Sequence, residues 1–148
     1  MYKIIEVKTK SEIKKFIEFP LELYKDNKYF VPMLYDDEKK IFKKNYVYNN
    51  TCKTLFLLCV DENEKVVGRV EGIIQNAANE KWGQKRVRFT RFDAINDQEV
   101  ANMLLSKVVE WGKGFGMEEL VGPLGYSDLE REGLLIHGFD QYQTYEEQ

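Results

Sequence analysis

Histidine and cysteine, two of the residue types that bind transition metals in proteins, are scarce in this sequence. The only histidine is His137, and the two cysteines, Cys52 and Cys59, lie seven residues apart at and within an apolar run. That spacing matches neither a zinc pair nor a redox pair, and a Cys/Cys/His zinc site would lack a fourth ligand. We therefore expect no metal cofactor and two reduced thiols.

Long apolar runs are missing as well. No stretch approaches the roughly 18 residues that a membrane span needs, and the opening MYKIIEVKTK lacks the apolar core of a secretory signal. The 148 residues are 43% hydrophobic and 32% charged, which is typical of a globular protein. These features predict a single domain, residues 1–148, located in the cytoplasm and without a membrane partner.

Positive charge is not in excess, since 22 basic and 25 acidic residues give a net charge of −3. This balance disfavours nucleic acid as the main partner. Arg86, Arg88 and Arg91 lie near aromatic residues and could contact a single strand. Because they alternate with predicted core positions, we expect them instead to form one charged face of a strand.

Hydrophobic periodicity predicts an alternation of strands and helices. The first part contains a strand at Lys3–Val7, a helix from Ser11 to Tyr24 capped by Thr9 or Ser11 and broken near Pro20, and a short helix from Asp36 or Asp37 through Phe42. The second part contains a hairpin of Thr54–Val60 and Val66–Gln75, a loop at 76–85, a strand at Arg86–Ile95, a strand at Leu120–Gly122, and a helical turn from Ser127 through Glu132. Gly68 and Gly72 share one strand face, which predicts a bulge or a close neighbour.

The longest predicted helix follows the strand at Arg86–Ile95. Asn96 is its expected N-cap, with Glu99 as the capping-box partner three residues later. Its apolar stripe ends at Gly114 or Gly116, where glycine favours a helix C-terminus.

This order of elements resembles the first two thirds of the GNAT fold of acyl-CoA-dependent N-acyltransferases. The resemblance rests on FIEFPLELYKDNKYFVPML, VGRVEGIIQNAANE, FTRFDAINDQEVANMLLSKVVEWGKGFGMEELVGPLGYS and GLLIHGFDQ. It covers most of the chain from Phe16 to Gln141 and is greatest toward one bacterial GNAT-like group. It implies an α/β (α+β) fold with a mixed, mostly antiparallel sheet flanked by helices.

The resemblance also implies a site for acetyl-CoA or another acyl-CoA. In that family the strands corresponding to Arg86–Ile95 and Leu120–Gly122 splay apart, the pantetheine arm lies between them, and the pyrophosphate binds at the start of the next helix. The corresponding donor-binding residues would be Phe92, Asp93, Ala94 and Asn96. Tyr126 is the candidate acid for the leaving thiolate, and Glu71 the candidate base for the incoming amine.

One departure from the family concerns the helix start, where the family has a glycine-containing phosphate loop. Here the sequence is DAINDQEV, without glycine. The Asn96 side chain would satisfy the N–H groups that a phosphate needs, and Asp97 and Glu99 place negative charge in the first turn. These residues favour a self-capped helix over an anion site.

A second departure concerns the strands that follow Leu120–Gly122 in the family, which are apparently missing here. The chain therefore resembles a truncated N-terminal portion. We expect the strand at Leu120 to leave an open edge that is covered by the chain's own tail or by another copy, which would give a homodimer.

Two functions of different class follow from these observations. The first is an N-acyltransferase, or the N-terminal half of one, that moves an acetyl group to an unknown amine, with the aromatic segment Tyr29–Tyr48 forming part of the acceptor site. The alternative is a non-catalytic GNAT-like module that associates through the open sheet edge. The missing glycine loop and the missing strands favour the alternative.

Overall fold

The computed structural model describes residues 1–26, 35–42, 51–122 and 134–137. The strands are β1 (Lys3–Glu6), β2 (Cys52–Val60), β3 (Val66–Gln75), β4 (Arg86–Ala94), β5 (Glu119–Gly122) and β6 (Leu134–His137). The helices are α1 (Lys10–Leu23), α2 (Tyr35–Lys40), α3 (Asn76–Trp82) and α4 (Gln98–Gly114). Most predicted boundaries lie within two residues of these bounds.

The six strands form one sheet in chain order, β1 to β6. Strands β1 to β4 are joined as antiparallel neighbours, whereas β4 and β5 are parallel. A parallel pair needs a crossover connection, and α4 provides it. Strand β6 pairs antiparallel with β5, so β4 and β5 form the one parallel pair among the described strands. The sheet is therefore mixed and mostly antiparallel, as predicted for the α/β (α+β) class.

The larger hydrophobic core lies between the sheet and α4. Val100, Leu104 and Val108 of α4 are fully buried against the sheet. The helix approaches closely because β3 has glycines there: a Cβ at Gly68 would lie 2.8 Å from the side chains of Val100 and Leu104. Gly72 meets Val108 and Trp111 in the same way. The close neighbour predicted from these two glycines is therefore α4.

The opposite face of the sheet carries α1 and α2. Phe16 of α1 is fully buried with Val7 and Leu58, and its ring makes edge-on contacts with Phe42 and Phe56 at centroid distances of 5.8 and 5.5 Å. Such aromatic pairs add to the free energy gained from burial alone. The sheet is thus covered by helices on both faces.

Helix α1 begins as predicted but is not broken at Pro20. Thr9 is its N-cap and forms a capping box with Glu12. The helix continues through Pro20 to Leu23, so the predicted interruption is wrong. A proline removes the N–H that would bond to the carbonyl four residues earlier, here that of Phe16. The guanidinium of Arg69 donates to this carbonyl oxygen instead, at 2.9 Å.

Residues Asn76–Trp82 form a helix, α3, where a loop was predicted. The Gln75 side chain caps its start by accepting from the N–H of Ala77. Gly83 ends it in the left-handed conformation, with φ at 63°. The Asn79 amide donates to the Arg86 carbonyl at 3.0 Å, so this short helix is held by its contact with β4.

The N-cap of α4 is Asp97 and not Asn96, which corrects the prediction by one residue. The Asp97 carboxylate accepts from the N–H of Glu99 at 2.9 Å, and the helix begins at Gln98. The predicted capping box between Asn96 and Glu99 therefore does not form.

The chain's own tail covers the outer side of β5. Glu119–Gly122 pair residue by residue with Leu134–His137, so the edge expected to be open is paired along this length. One strand beyond β5 is therefore present. The predicted turn at Ser127–Glu132 lies outside the described residues. Among the residues that the structure describes, no helix is long and apolar enough to cross a membrane.

Candidate functional site

A bulge in β4 shapes the polar centre of the α1 and α2 face. Arg69 pairs with Asp93 and Glu71 pairs with Thr90, so β4 places two residues, Arg91 and Phe92, where β3 has one. Arg91 has φ of +48°, which is uncommon for any residue other than glycine. Bulges of this kind redirect side chains, and this one brings the Arg91 guanidinium to α2.

Arg91 lies between two buried carboxylates. Its Nη1 is 3.0 Å from Oε1 of Glu71, and its Nη2 is 2.9 Å from Oε2 of Glu38. The Glu71 side chain is completely buried, and that of Glu38 retains 7% exposure. Buried carboxylates need charged partners and hydrogen bonds, and Arg91 supplies both.

Arg69 extends this buried ion network, which consists of Glu38, Arg69, Glu71, Arg91 and Asp93, to the end of β4. Its Nε donates to Oδ2 of Asp93 at 2.9 Å, and its guanidinium carbon lies 4.9 Å from the centre of the Phe16 ring. Burial lowers the pKa of Arg69, while the neighbouring Asp93 acts in the opposite direction. Arg69 therefore joins α1, α2, β3 and β4 through one side chain.

Asp93 is the carboxylate of this network that is most accessible, with 17% of its side chain exposed. Its Oδ1 accepts from the Tyr24 hydroxyl at 3.0 Å. Burial, followed by the charge of Asp93, raises the pKa of Tyr24 to about 12. The Tyr24 hydroxyl is therefore a hydrogen-bond donor at neutral pH.

The start of α4 is closed by side chains of the chain itself. Asp97 caps the helix through Oδ1, while its Oδ2 accepts from the Tyr2 hydroxyl at 2.6 Å. This hydrogen bond is the main cause that raises the pKa of Tyr2 to about 12 and lowers the pKa of Asp97. The helix start thus carries its own anion, as the lack of glycine predicted, although the residue responsible is Asp97.

Strands β4 and β5 pair over only part of their length. The paired residues run from Arg86 and Glu119 to Arg88 and Val121, whereas β4 continues to Ala94. At the last residue of β5, a Cβ on Gly122 would lie 2.6 Å from the carbonyl oxygen of Phe89, so the two strands are still in close contact there. Gly122 is the last described residue of β5, so the pairing is described only up to this point.

The four predicted donor-binding residues lie at or just after the end of β4. Phe92 packs edge-on against Phe89 at 5.7 Å, and Ala94 pairs with Gly68. Asp93 belongs to the buried ion network, and Asn96 is exposed beside the cap of α4. The structure therefore brings these residues together in space, while their role in binding stays a prediction.

The predicted catalytic residues are placed less favourably. Glu71 has no exposed surface and is paired with Arg91, so in this arrangement it would act on an amine only through another group. Tyr126 and most of the aromatic segment Tyr29–Tyr48 lie outside the described residues. Sequence analysis missed the pairing of Tyr24 with Asp93, because no local pattern connects residues so distant along the chain.

The arginines considered for nucleic-acid contact face other parts of the protein. Arg86 donates to Glu119 at 3.0 Å, Arg91 is bound by Glu38 and Glu71, and Arg88 is 5% exposed. Within the described part of the chain, no group of three His, Cys, Asp or Glu residues could hold a metal ion. The site is therefore described by its carboxylates, arginines and tyrosines.

Solved structures with the same fold are acetyltransferases or related proteins. A GNAT-family acetyltransferase from Staphylococcus aureus Mu50 superposes with a TM-score of 0.59 at 20% identity, over 82% of this chain and 71% of the other. A tandem GNAT protein from the clavulanic acid biosynthesis pathway gives a TM-score of 0.63 at 9% identity, over 88% of this chain and 40% of the other. The chain has the GNAT fold. This confirms the fold that the sequence resemblance implied.

Sequence comparison adds relatives that are longer than this GNAT-fold chain. It is 30% identical to Protein YghO of Escherichia coli K12 over 133 residues, which is 88% of this chain and 33% of the relative. It is also 30% identical to the bacterial ceramide synthase of Caulobacter vibrioides over 140 residues, 93% of this chain and 36% of the relative. The chain spans about a third of the length of these relatives. No family model matches it.

Proposed function

We propose that this chain is the acyl-CoA-binding part of an N-acyltransferase that forms an amide between an acyl group and an amine. The observation that carries this proposal is the parallel pair of β4 and β5, connected by α4, within a GNAT fold. In that fold the acyl donor is expected between these two strands. The end of β4, Phe92–Ala94, would then lie beside the thioester.

The proposed reaction is the transfer of the acyl group from the thioester to the amine. The amine nitrogen attacks the thioester carbonyl carbon, the C–S bond breaks, and the amine loses one proton while the CoA thiolate gains one. Asp93 is the accessible carboxylate at the end of β4, and Arg69 and Tyr24 fix its orientation. We propose that it orients the incoming neutral amine by accepting a hydrogen bond from the amine N–H. Tyr126 and Glu71 remain the predicted acid and base.

The proposed site fits the two parts of acyl-CoA, the pantetheine arm and the pyrophosphate, unequally. In the proposed arrangement the pantetheine arm lies beside the end of β4. The start of α4 suits the pyrophosphate less well, because Asp97 already accepts from the N–H of Glu99. We therefore expect donor affinity to come mainly from the arm and the acyl chain, with a weak phosphate contribution.

The choice of acceptors to test is guided by the name of one relative. That relative is called a bacterial ceramide synthase, and a ceramide is an N-acylated long-chain base. Long-chain primary amines therefore belong in the acceptor panel beside short amines and peptide amines.

The test is a calorimetric titration of the chain with CoA, acetyl-CoA and a long-chain acyl-CoA, followed by thiol release in the presence of the amine panel. The proposal expects saturable acyl-CoA binding with a Kd between about 1 μM and 1 mM, the usual range of substrate affinities. It also expects thiol release that depends on the amine. The absence of saturable heat at ligand concentrations well above this range would overturn the proposal. It would leave a non-catalytic, self-associating module, which light scattering would detect as a dimer.

A further inference from the structure

A groove runs between α4 and the outer strands β1 and β2, on the sheet face opposite α1. It consists of two adjoining cavities of about 530 and 510 Å³ that share Ile4, Lys107 and Glu110. One reaches Gln98 at the start of α4 and the other reaches Phe115 at its end. At about 1.5 Å per helical residue, the groove is roughly 25 Å long.

The groove exists because α4 is held over β3 and not over β1. The glycines Gly68 and Gly72 draw the helix onto β3, and Ile4 of β1 and Leu55 of β2 are left only partly covered. The resulting walls are apolar, with Ile4, Leu55 and Leu57 from the sheet and Met103, Trp111 and Phe115 from the helix side. Phe115 is 49% exposed, which is unusual for a large apolar side chain.

Charges at the groove differ between its two ends. Near the middle, Lys107 and Glu110 form a 3.7 Å ion pair and cancel each other. The end at the start of α4 carries Glu99. The half that reaches Phe115 is lined by Glu6, and Lys53 at that end lies 5.4 Å from the centre of the Phe115 ring. An elongated ligand with an apolar body and a cationic end at Glu99 would match this pattern.

We propose that this groove binds the aliphatic chain of a long-chain primary amine, with the ammonium group at the Glu99 end. An extended chain advances about 1.2 Å per bond, so about 16 carbon atoms span roughly 18 Å, which the groove accommodates. The Glu99 end adjoins the connection from Ala94 to α4, close to the end of β4. The inference does not require the bound amine to be the acyl acceptor, because the groove and Asp93 lie on opposite faces of the sheet.

Binding can be measured without any acyl-CoA by the fluorescence of Trp111. The chain has two tryptophans, and Trp82 is 60% exposed on α3, so W82F leaves Trp111 as the single reporter in the groove. This variant is titrated with octylamine, decylamine and dodecylamine below their micelle concentrations. Dodecanol and dodecanoate serve as ligands of equal chain length with a neutral and an anionic end.

The expected result is a Kd that falls about twofold per methylene, since an open groove buries about half of each group. Dodecylamine should bind more tightly than dodecanol, and dodecanoate least tightly. In the W82F background, E99Q should weaken dodecylamine by about two- to fivefold, the range of a surface ion pair, and leave dodecanol unchanged. Equal affinity for all three end groups, or no dependence on chain length, would overturn the proposal.

A second copy of the chain is the competing occupant of the groove. Light scattering of the unchanged chain and of F115E distinguishes the two: a dimer that F115E dissociates and that dodecylamine does not affect would overturn the amine proposal. The failure of this groove proposal can also be distinguished from the failure of the proposed function. Acylation of short amines without amine binding in the groove would remove only this inference. Amine binding in the groove without any acyl transfer would remove only the proposed function.

Discussion

Arg69 donates from Nη1 to the backbone carbonyl of Phe16, at 2.9 Å, and so replaces the helical N–H that Pro20 cannot provide. The same guanidinium binds Asp93. One side chain therefore repairs a break in α1 and at the same time orients the accessible carboxylate at the end of β4.

We expect R69M to lower the free energy of unfolding by about 3 to 5 kcal/mol, because Asp93 is left without its ion-pair partner. In a P20A background, residue 20 regains an N–H that can bond to the Phe16 carbonyl. The loss caused by R69M should then be smaller by about 0.5 to 1.5 kcal/mol, the value of one hydrogen bond. Urea unfolding of the four proteins in this cycle measures the difference. Strictly additive effects would show that Arg69 does not compensate for Pro20.

The packing of α4 on β3 predicts opposite effects for two glycines. A Cβ at Gly68 would lie 2.8 Å from the Val100 and Leu104 side chains, so G68A should lower the free energy of unfolding by about 1 to 3 kcal/mol. At Gly114, the last residue of α4, a Cβ would meet nothing within 4 Å. G114A should therefore be neutral or stabilising by up to about 1 kcal/mol. Thermal unfolding of both variants tests this, and equal effects would contradict it.

The fold could be predicted largely from the sequence because its elements have clear local patterns. The alternation of β3 and the stripe of α4 each identify an element without reference to the rest of the chain. The break expected in α1 was wrong because the proline rule is local, whereas the donor that replaces the missing N–H lies 53 positions from Phe16. The short helix α3 was missed because its stability comes from the contact of Asn79 with β4.

The site could be predicted only in part, for the same reason. Both Asn96 and Asp97 are suitable N-caps. The residue that caps the helix is Asp97, which accepts a hydrogen bond from Tyr2, 95 positions away in the sequence. The buried ion network depends on the bulge that redirects Arg91. No residue type in β4 predicts this bulge from the sequence. Arg86, Arg88 and Arg91 were therefore expected to form one charged face of a strand.

The two tyrosines with raised pKa values predict a loss of stability at alkaline pH. Each is neutral in the folded protein at a pH where it would ionise in the unfolded chain. The stabilising contribution is complete below about pH 10 and is lost as the pH rises toward about 12, the pKa of Tyr2 and of Tyr24 in the fold. Replacing both, in Y2F/Y24F, should flatten the pH dependence of the unfolding midpoint between pH 9 and about 11. An unchanged slope would show that neither hydroxyl is coupled to folding.

The carboxylate of Asp97 also predicts an effect on donor affinity. Its side chain accepts from the N–H of Glu99 and adds a negative charge at the start of α4, where a CoA pyrophosphate would bind. D97G removes both the charge and the competing acceptor, and glycine is tolerated at an N-cap. We expect D97G to bind CoA more tightly than the unchanged chain, by about three- to tenfold, and to show a stronger dependence of the Kd on salt.

The matched control is D97N, which removes the charge but keeps a capping side chain on Glu99 N–H. If the pyrophosphate needs that N–H, D97N should gain less affinity than D97G, because the asparagine oxygen still occupies the donor. If only the charge matters, the two variants should gain equally. Calorimetric titration with CoA at low and high salt separates these cases. An unchanged Kd in both variants would place the CoA phosphates away from α4 and would leave the end of β4 as the whole donor site.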